Sequence, residues 1–125
     1  MEITKISKKM EALASTSRLK IISLLSLRPF CVCELAQILN LAQPTLSRHL
    51  QKLEEAGFVK VKRHKFYNIY YLDLNDELNK SFYEILLAFL KKSPEFQELA
   101  EHPLVKASKQ AFVATTISPS LPEKE

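Results

Sequence analysis

The sequence predicts a mainly α-helical fold with one small β-hairpin, an α+β arrangement, and three observations support this prediction. Apolar residues recur every three or four positions in several runs, which is the spacing of a buried helix face. Residues 58–72 are instead rich in β-branched and aromatic side chains, as strands are. The 125-residue chain contains a single glycine, which is typical of a mostly helical protein.

Two scaffold helices are predicted before residue 30. In the first, apolar side chains at helical spacing share one face: Ile3, Ile6, Met10 and Leu13. The second is expected to run from about Ser17, a good N-cap, to the stop at Pro29.

The segment 34–58 has the pattern of a helix-turn-helix. A short helical run over 34–39 is followed by Asn40, which tolerates the left-handed backbone of a tight turn. The next helix has Pro44 at its first position and Gly57 just past its end. Its buried stripe consists of Leu46, Leu50 and Leu53. A short helix, a tight turn and a longer helix make up this motif.

The second helix of the motif has a polar front opposite its leucines. Arg48 and Lys52 point outward, with Thr45 on the flank nearer the helix start. Hydroxyl, guanidinium and ammonium groups suit DNA base edges and phosphates. An ordinary amphipathic surface helix would show the same pattern, so the interpretation depends on the neighbouring elements.

A β-hairpin is predicted directly after this helix. Residues 58–62 and 67–72 form the strands, and the tip is basic: Arg63, His64 and Lys65. A hairpin in this place is a wing, and its tip would straddle the DNA backbone beside the groove. The fold class is therefore a winged helix-turn-helix, in the order helices, helix-turn-helix, wing and helix.

The helix after the wing is predicted to mediate dimerisation. Asn75 or Asp76 can cap it. Its apolar stripe is too hydrophobic for solvent and too long for a small core: Leu78, Phe82, Ile85, Leu86 and Phe89. We expect the stripe and the first helix to pack against a second copy of the chain, because two-fold DNA binding needs two recognition helices about 34 Å apart. An intramolecular core helix is the alternative.

The positive charge is concentrated on the predicted helix and wing. Residues 44–67 contain six basic and two acidic residues, whereas the whole chain has a net charge of +4. This distribution indicates a polyanionic partner. The composition, 46% hydrophobic and 26% charged, is that of one compact domain without a membrane span or secretory leader. Two free cysteines favour the reducing cytoplasm.

Cys31 and Cys33 are the second chemical feature of the sequence. They stand at the start of the helix that supports the recognition helix, and a helix N-terminus lowers a thiol pKa, so we expect thiolates at neutral pH. Residues i and i+2 face nearly opposite sides of a regular helix, so one ion would hold both sulfurs only if this turn is unwound or distorted. Such strain would release DNA. Thiolates select thiophilic ions. The alternative is that both cysteines are small buried hydrophobic side chains without a ligand.

Three segments resemble the ArsR/SmtB family of metal-responsive winged-helix repressors: LASTSRLKII at 13–22, CVCELA at 31–36 and QPTLSRHL at 43–50. The resemblance covers about residues 3–91 and implies a homodimeric repressor of a resistance operon, released from operator DNA when a toxic ion binds. The cysteine pattern is similar to the arsenite- and antimonite-sensing branch, which implies As(III) or Sb(III) as inducer and no permanent cofactor.

The resemblance also implies roles by position. Gln43, Ser47 and Arg48 would read bases, with Thr45 and Lys52 nearby, whereas Arg63 and Lys65 would hold phosphates. Cys31 and Cys33 would be the metal ligands.

The sequence departs from the family pattern in several places. The branch's third cysteine is Ala36 here, so a water or a small thiol would complete the coordination of a trivalent metalloid. Residues 74–91 contain no histidine, which argues against zinc, and the N-terminal cysteines of the cadmium and lead sensors are missing. Lys65 stands where the family commonly has glycine at the wing tip.

The predicted organisation is a DNA-binding and dimerisation domain over 1–91, a helical C-terminal extension over 92–117 and a disordered tail over 118–125. His49, His64 and His102 do not form a ligand set. The alternatives are a thiol-redox or persulfide-responsive repressor on the same fold and a constitutive DNA-binding regulator without a ligand. An enzyme is not expected, because no Gly-rich loop or Cys–His pairing suggests one. A protein-interaction module on this fold would bind no specific duplex.

Overall fold

The computed structural model describes residues 2–108 and confirms a mainly helical fold with a small antiparallel sheet. In chain order the elements are α1 (Glu2–Leu13), α2 (Thr16–Leu25), β1 (Phe30–Cys31), α3 (Val32–Leu39), α4 (Gln43–Glu55), β2 (Val59–His64), β3 (Tyr67–Leu72), α5 (Glu77–Leu90), α6 (Pro94–Ala100) and α7 (Pro103–Ser108). The predicted tail over 118–125, and the part of the predicted extension beyond residue 108, lie outside the described residues.

The leucine stripe of α4 anchors the core. Leu46, Leu50 and Leu53 are fully buried, as the spacing predicts. They belong to one cluster with apolar residues of α2, α3 and the segment after α4, including Ile21, Ile22, Leu24, Leu35 and Phe58. Because one side of α4 is taken up by this core, its other side is left on the surface.

The turn between α3 and α4 has the predicted left-handed residue. Asn40 has φ 56° and ψ 48°, and its backbone N–H bonds to carbonyls of the last turn of α3. Gly57, with φ 84°, plays the same part after α4. Both helices of the motif therefore end on residues that suit positive φ.

The predicted start of α2 was wrong by two residues. Ser15, not Ser17, is the N-cap, and its hydroxyl accepts a hydrogen bond from the backbone N–H of Arg18 at 3.2 Å. Both serines are competent caps by residue type, so the sequence alone could not choose between them. The helix ends at Leu25, before the predicted stop at Pro29.

The described sheet contains one strand more than the predicted hairpin. Its order is β1-β3-β2, and β1 pairs antiparallel with β3 through Phe30–Tyr70 and Cys31–Ile69. A two-residue strand has no detectable alternation, so the sequence did not reveal it. Cys31 is therefore joined directly to the wing.

The C-terminal elements pack onto the same core. Phe96 of α6 and Val105 of α7 are buried, and Leu99 and Leu104 are packed against the core cluster. The element contacts place α6 on α2 and α7 on α3. Within residues 2–108, no helix is long and apolar enough to cross a membrane.

Candidate nucleic-acid interface and cysteine pair

The front of α4 presents the predicted polar side chains to solvent. Gln43, Ser47, Arg48 and Lys52 are exposed, and Thr45 is half-buried. The N-cap, Ala42, makes no side-chain hydrogen bond to the first turn, which leaves N–H groups at the helix start without a side-chain cap. Such groups attract anions. This side of α4 can therefore meet both base edges and phosphates.

The wing is a regular hairpin with a basic, exposed end. Arg63 and Lys65 are exposed, as predicted for phosphate contacts, and Lys60 on the same strand is exposed as well. His64 pairs with Tyr67 across the hairpin, so Lys65 and Phe66 form its two-residue loop. Arg63 and Lys65 therefore lie at the far end of the hairpin, whereas Lys60, opposite Tyr71, lies near its base.

Arg18 of α2 joins this surface and was missed in the sequence. It lines a shallow groove along α4 with Thr45, Arg48 and Lys52. Its Nη1 donates to Nδ1 of His49 at 3.1 Å, and its Nε donates to the Ala12 carbonyl at 2.6 Å. A residue on α2 gives no local signal that it will lie beside α4.

His49 lies half-buried on the flank of α4. Burial lowers its pKa, and the charges of Arg18 and Arg48 lower the pKa further. Because an arginine only donates, Nδ1 of His49 is the acceptor in the bond from Arg18. The histidine thus orients Arg18 next to the groove.

The two cysteines lie closer together than the helical spacing predicted. Cys31 is the N-cap of α3 with extended backbone, φ −85° and ψ 162°, whereas Cys33 is in the first turn. Their Sγ atoms are 2.7 Å apart, and both residues are free thiols. The prediction that the turn must unwind to bring the sulfurs together was wrong, because Cys31 precedes the helix instead of belonging to it.

The environments of the two thiols differ. Cys33 is exposed, whereas Cys31 is only 2% exposed. Burial, together with the hydrogen bond with Cys33, raises the pKa of Cys31 to about 12. The predicted lowering of this pKa by the helix start was wrong for Cys31, since desolvation of the thiolate outweighs the N–H bond that favours it.

Cys31 and Glu34 form a reciprocal cap at the start of α3. The Cys31 sulfur accepts the Glu34 N–H at 3.4 Å, and a Glu34 carboxylate oxygen accepts the Cys31 N–H at 3.0 Å. This is the capping box arrangement, with sulfur in place of a hydroxyl. Any ligand that takes the Cys31 sulfur competes with this cap.

A buried arginine links the same site to the C-terminal helices. Arg28 donates to the Glu34 carboxylate at 3.5 Å and to the Leu104 carbonyl of α7 at 3.2 Å. Its guanidinium also lies 3.7 Å from the ring centroid of Phe30. The role of Arg28 is not visible in the sequence, because one of its partners, Leu104, lies 76 residues further along the chain.

The cysteine pair offers two protein ligands and no more within the described part of the chain. No group of three or more histidine, cysteine or acidic residues there is arranged to hold a metal ion. Two thiols in one turn fit a thiophilic ion that takes its remaining ligand from solution. Within these residues His49, His64 and His102 are not grouped with the two cysteines.

Lys9 connects α1 to the end of α4. It is 1% exposed, and its Nζ donates to the Ala56 carbonyl at 2.7 Å and to Oδ1 of Asn79 at 2.6 Å. The Asn79 amide in turn donates to the Gly57 carbonyl at 2.7 Å. The chain segment that ends α4 is therefore held by α1 and α5 together.

The helices α1 and α5 leave an apolar face uncovered. Several of its members are largely exposed, namely Ile3 at 82%, Met10 at 59%, Ile85 at 65% and Phe89 at 70%. Met10 and Ile85 line a hollow together with Leu13, Phe82 and Leu86. On its buried side α5 has Asn79 and Tyr83, and the Tyr83 hydroxyl donates to the Phe58 carbonyl at 2.6 Å.

Comparison with known proteins places the chain among transcriptional regulators. Residues 15–61 match the family described as bacterial regulatory protein, arsR family. The chain is 38% identical over 63 residues to an uncharacterized HTH-type transcriptional regulator of Methanocaldococcus jannaschii, covering 50% of this chain and 71% of that protein. It is 32% identical over 73 residues to the arsenical resistance operon repressor of Staphylococcus xylosus, covering 58% of this chain and 70% of the repressor.

A solved structure shares the fold. The homodimeric winged helix-turn-helix DNA-binding domain Mb0332 of Mycobacterium bovis aligns with a TM-score of 0.63 over 74% of this chain and 83% of that one. At 22% identity, this likeness establishes the fold alone. The α4–β2–β3 unit described above is thus the second helix of a helix-turn-helix followed by a wing.

Proposed function

Since the chain belongs to the arsR family of bacterial regulatory proteins, we propose that its homodimer represses by binding operator DNA and leaves it when As(III) or Sb(III) binds Cys31 and Cys33. Membership makes the chain a DNA-binding transcriptional repressor, and it confirms the expectation that the protein is not an enzyme. The ion, the ligands and the individual DNA contacts are our proposal.

The exposed front of α4 and the wing support the DNA contacts. We assign base reading to Gln43, Ser47 and Arg48, support from Thr45 and Lys52, and phosphate contacts to Arg63 and Lys65, all of which reach the surface. Arg48→Ala should then relax sequence preference, whereas Arg63→Ala should weaken binding to every duplex by a similar factor and reduce its salt dependence. Fluorescence anisotropy on specific and scrambled duplexes would separate these effects.

The uncovered face of α1 and α5 supports the homodimer. A two-fold dimer places two recognition helices about one helical turn apart on DNA, roughly 34 Å. Burying Ile85 and Phe89 against a second copy would also remove apolar surface that is largely exposed in one chain.

The cysteine pair supports a trivalent metalloid as inducer. In arsenous acid two As–O bonds would break and two As–S bonds form, while the two thiol protons leave with the displaced hydroxides as water. Arsenic stays trivalent and keeps one oxygen ligand, or exchanges it for a small thiol. No third cysteine is needed, which suits a chain with Ala36 in that place.

The position of Cys31 is the single observation that carries the release mechanism. This residue caps α3 and also pairs with Ile69 of the wing. A metalloid that coordinates the Cys31 sulfur would displace the hydrogen bond from the Glu34 N–H and shift β1. Because α3 leads into α4 and β3 belongs to the wing, one event would disturb both DNA-contacting parts.

The test measures release of the DNA that lies upstream of this protein's gene. Fluorescence anisotropy would monitor the release during titration with As(III), Sb(III), Cd(II) and Zn(II). We expect As(III) and Sb(III) to release the wild type, and Cys31→Ser and Cys33→Ser to stay bound. Val32→Ala is the matched control, because it alters the same turn and keeps both sulfurs. Bound DNA at saturating As(III), in a wild type with both thiols reduced, would overturn the inducer assignment.

Persulfide or redox sensing is the second candidate, and the exposed Cys33 beside Cys31 favours it. A Cys-x-Cys disulfide would be strained, so a polysulfide bridge is the more accessible product. Release by polysulfide, together with indifference to As(III), would select this alternative. Indifference to every ligand would indicate a constitutive regulator.

A further inference from the structure

We propose that Phe66, at the tip of the wing, is an apolar wedge that enters the minor groove, partly unstacks one base step and bends the operator. This inference depends on the proposed DNA-binding function. It goes beyond that function by assigning the hairpin tip a role in DNA shape.

The exposure of Phe66 is the first observation. Its side chain is 95% exposed, more than Ile3 at 82% or Phe89 at 70%. Those two residues belong to the uncovered face of α1 and α5, and a second copy of the chain would cover them. Phe66 lies on the hairpin instead, so its exposure is not explained by that face.

The backbone at the tip is the second observation. Lys65 has φ 56°, and it precedes Phe66 in the two-residue loop between the paired residues His64 and Tyr67. A non-glycine residue in this left-handed region is disfavoured, because its Cβ comes too close to the following carbonyl oxygen. Folding alone would favour glycine at 65 and a polar residue at 66, yet the chain has a cation followed by a fully exposed aromatic ring.

The charges around Phe66 indicate which partner it meets. Arg63 and Lys65 are exposed beside it, and Lys60 is exposed further down the same strand. Proteins that kink DNA from the minor groove combine basic side chains on the backbone with an inserted apolar residue such as phenylalanine. The tip of this wing has both components within four residues.

The length of the wing allows this contact. Six-residue strands extend about 20 Å from the end of the recognition helix to the tip. Half a turn of duplex, about 17 Å, separates a major groove from the adjacent minor groove. A wing that starts beside α4 in the major groove can therefore carry Phe66 to the neighbouring minor groove.

The test measures DNA bending by energy transfer between dyes at the two ends of the operator duplex, with wild type and Phe66→Ala. The wild type should shorten the end-to-end distance, and Phe66→Ala should lose most of that bend with about tenfold weaker binding, the size of one lost base–aromatic stack. Phe66→Leu keeps an apolar wedge and should bend DNA partly.

A second measurement separates the wedge from a general loss of affinity. A mismatched base step under the wing tip is already partly unstacked, so wild type should bind that duplex more tightly than the matched one. Phe66→Ala should show no such preference. Equal bending and equal mismatch preference in wild type and Phe66→Ala would overturn the wedge. A changed oligomeric state of Phe66→Ala together with unchanged bending would overturn it as well.

The outcomes also distinguish the two levels of the proposal. If wild type fails to prefer its own upstream DNA over scrambled DNA, the proposed function fails and the wedge fails with it. If wild type binds specifically and Phe66→Ala behaves identically, the wedge alone is wrong.

Discussion

At the scale of single residues, Cys31 shows how position changes the chemistry of a side chain. A thiol at a helix start is expected to ionise easily, but this one is buried under the pairing of β1 with β3. The sequence correctly placed the two cysteines at the start of the helix that precedes α4. It could not predict the raised pKa, because the burial depends on a partner almost forty residues away.

The pKa of Cys31 predicts a pH dependence of stability. In the unfolded chain this thiol loses its proton near its ordinary pKa of 9.0, whereas in the folded chain it keeps the proton to about 12. Its contribution to the free energy of unfolding is therefore complete below pH 9 and lost as the pH rises towards 12. We expect the stability difference between wild type and Cys31→Ser, measured by urea unfolding, to fall steadily from pH 8.5 upward. A difference independent of pH would contradict the raised pKa.

Lys9 gives a second prediction at the residue scale. Lys9→Met leaves the Ala56 carbonyl and the Asn79 amide oxygen without their donor, which should cost about 1–3 kcal/mol of unfolding free energy. Thermal unfolding would measure this loss. DNA affinity should fall as well, because the end of α4 is held less firmly.

Lys8→Met is the matched control, since Lys8 is an exposed neighbour on the same helix. An equal loss of stability in both variants would show that the buried hydrogen bonds of Lys9 are not the cause.

At the scale of elements, the sequence correctly predicted those features that depend on local interactions. The leucine stripe of α4, the left-handed Asn40 and the strands of the wing follow from spacing, turn chemistry and β propensity. The extra strand β1, the Ser15 cap and the Arg28 network did not, because each depends on tertiary neighbours or on a choice between equivalent residues. For the same reason the contact between α7 and the cysteine turn could not be predicted.

The Arg28 network predicts that α7 stabilises the cysteine turn. Arg28→Met removes the partner of a Glu34 carboxylate whose side chain is 10% exposed, and breaking a buried ion pair in this way costs about 3–5 kcal/mol. We expect a lower unfolding midpoint and faster alkylation of Cys31 in the folded state.

Lys106→Met offers a comparison on the same helix. Its ion pair with Glu101, at 2.6 Å, is exposed on both sides, and exposed pairs contribute little. No measurable change is expected there. If Arg28→Met also alkylates at the wild-type rate, the link from α7 to the thiol is wrong.

At the scale of the whole molecule, the proposed dimer can be broken at one position. Ile85→Asp places a carboxylate on the uncovered face of α1 and α5, where a second copy would bury it without a partner. Sedimentation velocity should show a monomer, and operator affinity should fall by more than tenfold because two linked recognition helices become one.

Leu74→Asp is the control for a new charge at an exposed leucine away from that face, since Leu74 is 43% exposed and precedes α5. It should leave the dimer intact. A dimeric Ile85→Asp would place the interface elsewhere.

The burial of Lys9 makes this lysine a reporter of opening. Lys5 and Lys8, on the same helix, are exposed, whereas Lys9 is 1% exposed. A brief pulse of an amine-acylating reagent, read by peptide mass spectrometry, should therefore mark its neighbours at once and Lys9 only when α1 has swung away from the end of α4. The labelling rate of the Lys9 amine would therefore measure how often α1 separates from the end of α4, in the free protein and after each added ligand.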